Sequence, residues 1–191
     1  MKACIIILSC TFFFSCRGNK KTETISLPLT TVEAGDPALH LVNGTWFYKN
    51  EKPFYGGIRE SYPGGRVRSL QKIENGKQQG YTETFYEDGK PESKRWYTKG
   101  EKDSVHTGWW ENGNKKFEYH FNNGNYNGLF TEWYQSGKII QEVIYDNGKE
   151  VSGKGWRENR KLYMSFVMKH GRRYGLFNAN LCYSLVKENI K

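Results

Sequence analysis

Two stretches decide the fold: Gly80-Tyr-Thr-Glu-Thr-Phe-Tyr-Glu-Asp-Gly89-Lys90 and Gly128-Leu-Phe-Thr-Glu-Trp-Tyr-Gln-Ser-Gly137-Lys138. Both are runs of strand-forming Thr, Phe, Tyr and Trp closed by a turn pair. Outward from them a period of 24 residues appears at Gly65, Gly89, Gly113 and Gly137. A second series, Gly76, Gly100, Gly124 and Gly148, keeps the same step, and Gly171 follows one residue early. A third runs through Gly56, Gly80, Ser104, Gly128 and Ser152. A fixed step of this size marks a repeat architecture.

The residues before the glycines give the turns their chemistry. Asn75-Gly76, Asp88-Gly89, Asn112-Gly113, Asn123-Gly124 and Asn147-Gly148 suit two-residue hairpin turns, which need positive φ. Turns then recur about every dozen residues, and each repeat is one hairpin. The reading is all-β: an open, twisted antiparallel meander of roughly ten strands built from 24-residue hairpins.

With ideal two-residue turns and no bulges, Tyr86 faces Pro91, Phe85 faces Glu92 and Gly80 faces Tyr97. The same register puts Ser104 opposite Phe121 and Gly128 opposite Tyr145. A ring opposite a small residue fills the gap that residue leaves. Alternation then sorts the side chains. One face carries Tyr62, Tyr86, Trp110 and Tyr134 with Ile73, Tyr97, Phe121 and Tyr145, and is expected to be the better packed. The other carries Ser61, Phe85, Trp109 and Trp133 with Lys72, Trp96, His120 and Ile144. Phe85, Trp96, Trp109 and Trp133 are the candidate binding residues, because exposed aromatic patches mark interaction surfaces. The plainer alternative is that these rings pack on their neighbours.

These strings resemble the MORN-repeat variant family, many of whose bacterial members are labelled YwqK-type antitoxins. The resemblance covers residues 41–178. Thr45-Trp46-Phe47-Tyr48 followed by Pro53-Phe54-Tyr55-Gly56-Gly57 is similar to the family's opening segment. It implies an open, twisted antiparallel sheet that binds other proteins, or lipid in some relatives. Ser152 to Asn159 departs from the pattern, with one shortened spacing.

The first residues read differently. Lys2, the apolar run Ala3 to Phe14, and Ser15-Cys16 form a secretion signal too short to span a bilayer. A small residue before Cys16 resembles a bacterial lipobox, which implies lipidation at Cys16. Cys10 is a second position for this, and ordinary cleavage without lipid is the alternative. Residues 1–15 are thus expected to be a signal peptide and 16–40 a lipidated N-terminus and tether. Residues 41–178 form the repeat domain and 179–191 a tail that caps it. The implied location is the cell envelope, anchored to a bacterial membrane on its periplasmic or outer side. Cys182 is then a single thiol, buried or reactive.

The chain has 191 residues, a formal net charge of +9 and 16% aromatics. Its Lys and Arg are spread out, without the dense basic stripe expected of a nucleic-acid binder. His40, His106, His120 and His170 lack metal-type spacing to Cys or acid, and no nucleophile elbow or phosphate loop is present. Glu83 and Glu132 read as solvated charge, with a carbohydrate-cutting pair as the alternative. The expectation is a non-catalytic protein with no cofactor and no metal. It is read as a membrane-anchored scaffold for a protein partner, antitoxin- or immunity-like. Glycan or cell-wall binding and anionic-lipid binding are the competing readings.

Overall fold

The computed structural model describes residues 30–49 and 52–177. Their elements are β1 (Thr31–Glu33), β2 (Leu39–Val42), β3 (Thr45–Tyr48), β4 (Gly56–Ser61), β5 (Val67–Glu74), β6 (Lys77–Phe85) and β7 (Pro91–Thr98). The chain continues with β8 (Glu101–Trp109), β9 (Lys115–Asn122), β10 (Asn125–Trp133), β11 (Ile139–Asp146), β12 (Lys149–Trp156), β13 (Leu162–Lys169) and β14 (Arg172–Phe177). Fourteen strands replace the expected ten, and none of the described residues is helical. Twelve form one open sheet in the order β1-β4-β5-β6-β7-β8-β9-β10-β11-β12-β13-β14. From β4 onward this is a meander of consecutive antiparallel hairpins, not closed into a barrel.

β1 joins the sheet parallel to β4, with Val32 beside Ile58. β2 and β3 form a separate hairpin. β1 and the start of β2 therefore fall within residues 16–40, which the sequence reads as a lipidated N-terminus and tether. The reason is apolar burial. Val32 and Leu39 join Phe54, Ile58 and Ile73 in a core cluster, with Trp46 and Tyr48 packed against it. Ile58 and Ile73 are fully buried. Truncating either to Ala is expected to cost about 2–5 kcal/mol. The expected signal peptide, Cys16 and the tail 179–191 lie outside the described residues.

The two edges of the meander turn differently. At the Asn75-Gly76 edge both residues have positive φ, 50° and 73°, and Glu74 pairs with Lys77. This is the two-residue turn the sequence predicts. At the other edge Tyr86 N–H donates to Lys90 O at 2.9 Å, and Gly89 N–H donates to Tyr86 O. The loop there is Glu87-Asp88-Gly89, one residue longer than expected, and Gly89 takes the left-handed position at φ 87°.

That extra residue corrects the register near the turn. Phe85 faces Pro91, not Glu92. Thr84 then faces Ser93, so Glu92 is unopposed in a β-bulge. The longer turn advances the register by one and the bulge takes it back. Pairs farther from the turn are therefore unaffected: Gly80 faces Tyr97, Ser104 faces Phe121 and Gly128 faces Tyr145.

A second bulge explains the shortened repeat. In β6, Ile73 faces Gln78 but Gln71 faces Thr82, which places two extra residues in β6. β8 and β10 repeat this insertion. In β12, Tyr145 faces Glu150 and Ile144 faces Ser152, so only one residue is extra. The missing residue is the one by which Gly171 arrives early.

Candidate binding surface

Pairing separates two faces. Ile73, Ser93, His106, Phe121, Val143 and Phe166 are buried, and all lie on the face predicted to pack. Its rings run continuously across the strands. Tyr97, His106, Phe121, Tyr126 and Tyr145 follow one another with successive centroids 4.5–5.4 Å apart. Small residues admit these rings, since a Cβ on Gly108 would lie 2.2 Å from Phe117 Cε1. His106 is 2% exposed, and its Nε2 lies 2.7 Å from the Trp96 carbonyl oxygen, to which it donates. Burial holds its pKa below the usual imidazole value, and the nearby Arg95 and Lys102 charges act the same way. It is a neutral core histidine.

The opposite face is open. Leu129 faces Ile144, Ile144 faces Ser152, Ser152 faces Val167 and Val167 faces Tyr174. Leu129, Ile144, Val167 and Tyr174 are 43%, 47%, 44% and 49% exposed, so a row of apolar side chains crosses β10 to β14 toward solvent. A shallow hollow of about 340 Å³ lies along it, with Glu142 and Lys154 among its polar walls. Monomeric proteins rarely leave such patches uncovered without using them.

Three of the four candidate aromatics share one column on this face. Phe85, Trp109 and Trp133 each end a strand before a three-residue turn, opposite Pro91, Lys115 and Ile139. Consecutive members are two strands apart, about 10 Å. All three are partly buried, and Lys115 Nζ lies 5.5 Å from the Trp133 ring centre. Trp96 stands apart, five residues along β7 from Pro91, or about 17 Å. It meets Tyr81 edge to face at 4.6 Å and donates from Nε1 to Thr98 Oγ1. The structure thus does not bring Trp96 together with the other three.

The sequence reading missed two parts of this surface. Trp156, opposite Leu162, extends the column beyond the shortened repeat. A 23-residue step from Trp133 would have found it. Of the row Leu129–Tyr174 only Ile144 is assigned to this face from the sequence; Leu129, Val167 and Tyr174 differ in type and carry no turn signal. Glu83 and Glu132 lie on opposite faces. Glu83 pairs with Lys94 at 3.3 Å, whereas both oxygens of Glu132 accept, from Tyr119 Oη and Gln141 Nε2. Carboxylates so placed cannot flank one bond. Among the described residues no group of three His, Cys, Asp or Glu side chains could hold a metal ion, and no helix is long and apolar enough to cross a membrane. No family model matches the chain, and no curated protein matches it.

Proposed function

We propose that this protein is a non-catalytic repeat scaffold that holds another protein against the open face of its sheet. The observation that carries the reading is the asymmetry of the two faces. One consumes its rings in mutual packing, while the other leaves Leu129, Ile144, Val167 and Tyr174 about half exposed in a single row. Repeat sheets of this kind offer long, shallow surfaces suited to a protein partner. The resemblance to MORN-repeat proteins supports the same reading and admits an antitoxin- or immunity-like role. The proposed setting is the cell envelope, with Cys16 as the lipid anchor.

Affinity capture from native envelopes tests this. Wild-type protein is expected to retain one stoichiometric protein that Leu129→Asp/Ile144→Asp does not. Equal capture by both, or none by either, overturns it. A glycan reading draws on the column Phe85, Trp109, Trp133 and Trp156, because aromatic rings can stack on sugars; sedimentation with purified peptidoglycan would favour it instead.

A further inference from the structure

The packed face holds a feature the scaffold reading does not use. Arg95, Lys102 and Lys116 converge on a hollow of about 350 Å³ whose remaining wall is His106, Phe117, Tyr119, Phe121 and Tyr126. Arg95 comes from β7, Lys102 from β8, and Lys116 is the bulged residue of β9 between Lys115 and Phe117. The bulge matters, because it turns Lys116 to the packed face although its neighbours Lys115 and Glu118 serve the open one.

Each cation is held by a ring. Arg95 Cζ lies 5.7 Å from the Phe117 ring centre, Lys102 Nζ 5.2 Å from Phe121 and Lys116 Nζ 4.5 Å from Trp110. No described carboxylate forms an ion pair with any of the three. Glu132, across the strand pair from Phe117, already has its oxygens occupied by Tyr119 and Gln141. The hollow therefore gathers three basic groups over a largely aromatic floor, and Glu132, bonded to Tyr119 at its rim, is one carboxylate against three cations.

We propose that this hollow binds a compact polyanion, a small molecule with two or three carboxylate or phosphate groups on a body no larger than about one sugar ring. Three cations call for more than one negative group, and charge-assisted hydrogen bonds to them are the strong kind. The volume is at the low end of small-molecule sites. The rings fix the cations in place, which lowers the ordering cost of binding. The site lies on the opposite face from the proposed protein surface and stands independently of it.

Calorimetric titration of the purified chain with citrate and with inorganic pyrophosphate tests the site and separates its two chemistries. At least one is expected to bind with Kd below about 1 mM at low ionic strength, while acetate does not. Arg95→Gln/Lys102→Gln/Lys116→Gln is expected to weaken binding at least about tenfold. The charge-matched Lys138→Gln/Lys161→Gln/Arg160→Gln is expected to leave it unchanged. Should the first triple variant fail to fold, Lys116→Gln alone is expected to weaken binding about threefold or more. Absence of binding by both probes, or equal loss in the charge-matched variant, overturns the proposal.

Discussion

The hydroxyl of Tyr86 donates to the main-chain carbonyl of Trp109 at 2.7 Å, 23 residues onward. The bond recurs: Tyr62 reaches the Phe85 carbonyl at 2.9 Å, Trp110 Nε1 the Trp133 carbonyl at 3.0 Å and Tyr134 the Trp156 carbonyl at 3.2 Å. A matching ladder runs along the other edge. The N–H groups of Gly76, Gly100, Gly124 and Gly148 donate to the carbonyls of Phe54, Gln78, Lys102 and Tyr126. Each repeat is thus tied to the next at both ends, which matters in this sheet because among the described residues no second layer covers its repeats.

Tyr86→Phe removes one rung while keeping the ring. Burial, then the nearby carboxylates of Glu92, Glu111 and Asp88, push the Tyr86 phenol above its ordinary pKa, so it is a protonated donor throughout neutral pH. The expected cost is about 1 kcal/mol in urea unfolding, with an unchanged m value. A change below a few tenths of a kcal/mol would mean the rung is ornamental.

Gly76 and Gly113 both sit at positive φ, 73° and 85°, yet their surroundings differ. A Cβ on Gly76 would meet Thr45 Cγ2 at 2.4 Å and the Trp46 oxygen at 2.9 Å, whereas Gly113 has nothing within 4 Å. Gly113→Ala should cost about 1–2 kcal/mol for backbone strain alone. Gly76→Ala should cost more, about 3 kcal/mol or above, because the β2–β3 hairpin must also shift. Thermal unfolding of the two variants side by side gives the comparison, and equal losses would contradict the docking of that hairpin.

His106 makes stability depend on pH. Its folded pKa lies below the ordinary value of 6.5, so the unfolded chain takes up the proton first. Stability is full above pH 6.5 and falls as pH drops below it toward the folded pKa. Unfolding midpoints at pH 7.5 and 5.5 are expected to differ more for wild type than for His106→Gln. The window avoids the carboxylates Asp88 and Glu118, whose lowered pKa values act only at stronger acid. A variant as pH-sensitive as wild type would assign the effect elsewhere.

Ile144→Asp on the open face should leave the fold intact, since the side chain is 47% exposed. Its effect on unfolding free energy is expected within about 0.5 kcal/mol. A large destabilisation would mean that the row is core and not a surface.

Much of this was legible in the sequence. The glycine periods fixed the hairpins, and alternation sorted Tyr97, Phe121 and Tyr145 from Trp109 and Trp133. The register near the Gly89-type turns was not, because Asp88-Gly89 serves a two-residue and a three-residue turn equally well. Only the partner strand shows that Glu92 is bulged. Two errors of one residue cancelled there, which is why Gly80 still met Tyr97. β1 was hidden for a different reason: three residues of parallel pairing leave no periodic trace. The cationic hollow was invisible too, since Arg95, Lys102 and Lys116 come together only through the bulge at Lys116 in β9 and the turn between β7 and β8.

The most direct test places a photoreactive side chain at Ile144, and separately at Tyr97 on the packed face, in protein expressed in its native host. Cross-linking followed by mass spectrometry is expected to give a single protein adduct at position 144 and none at 97. Adducts at 144 only to glycan or lipid, or no adduct there at all, would contradict the scaffold.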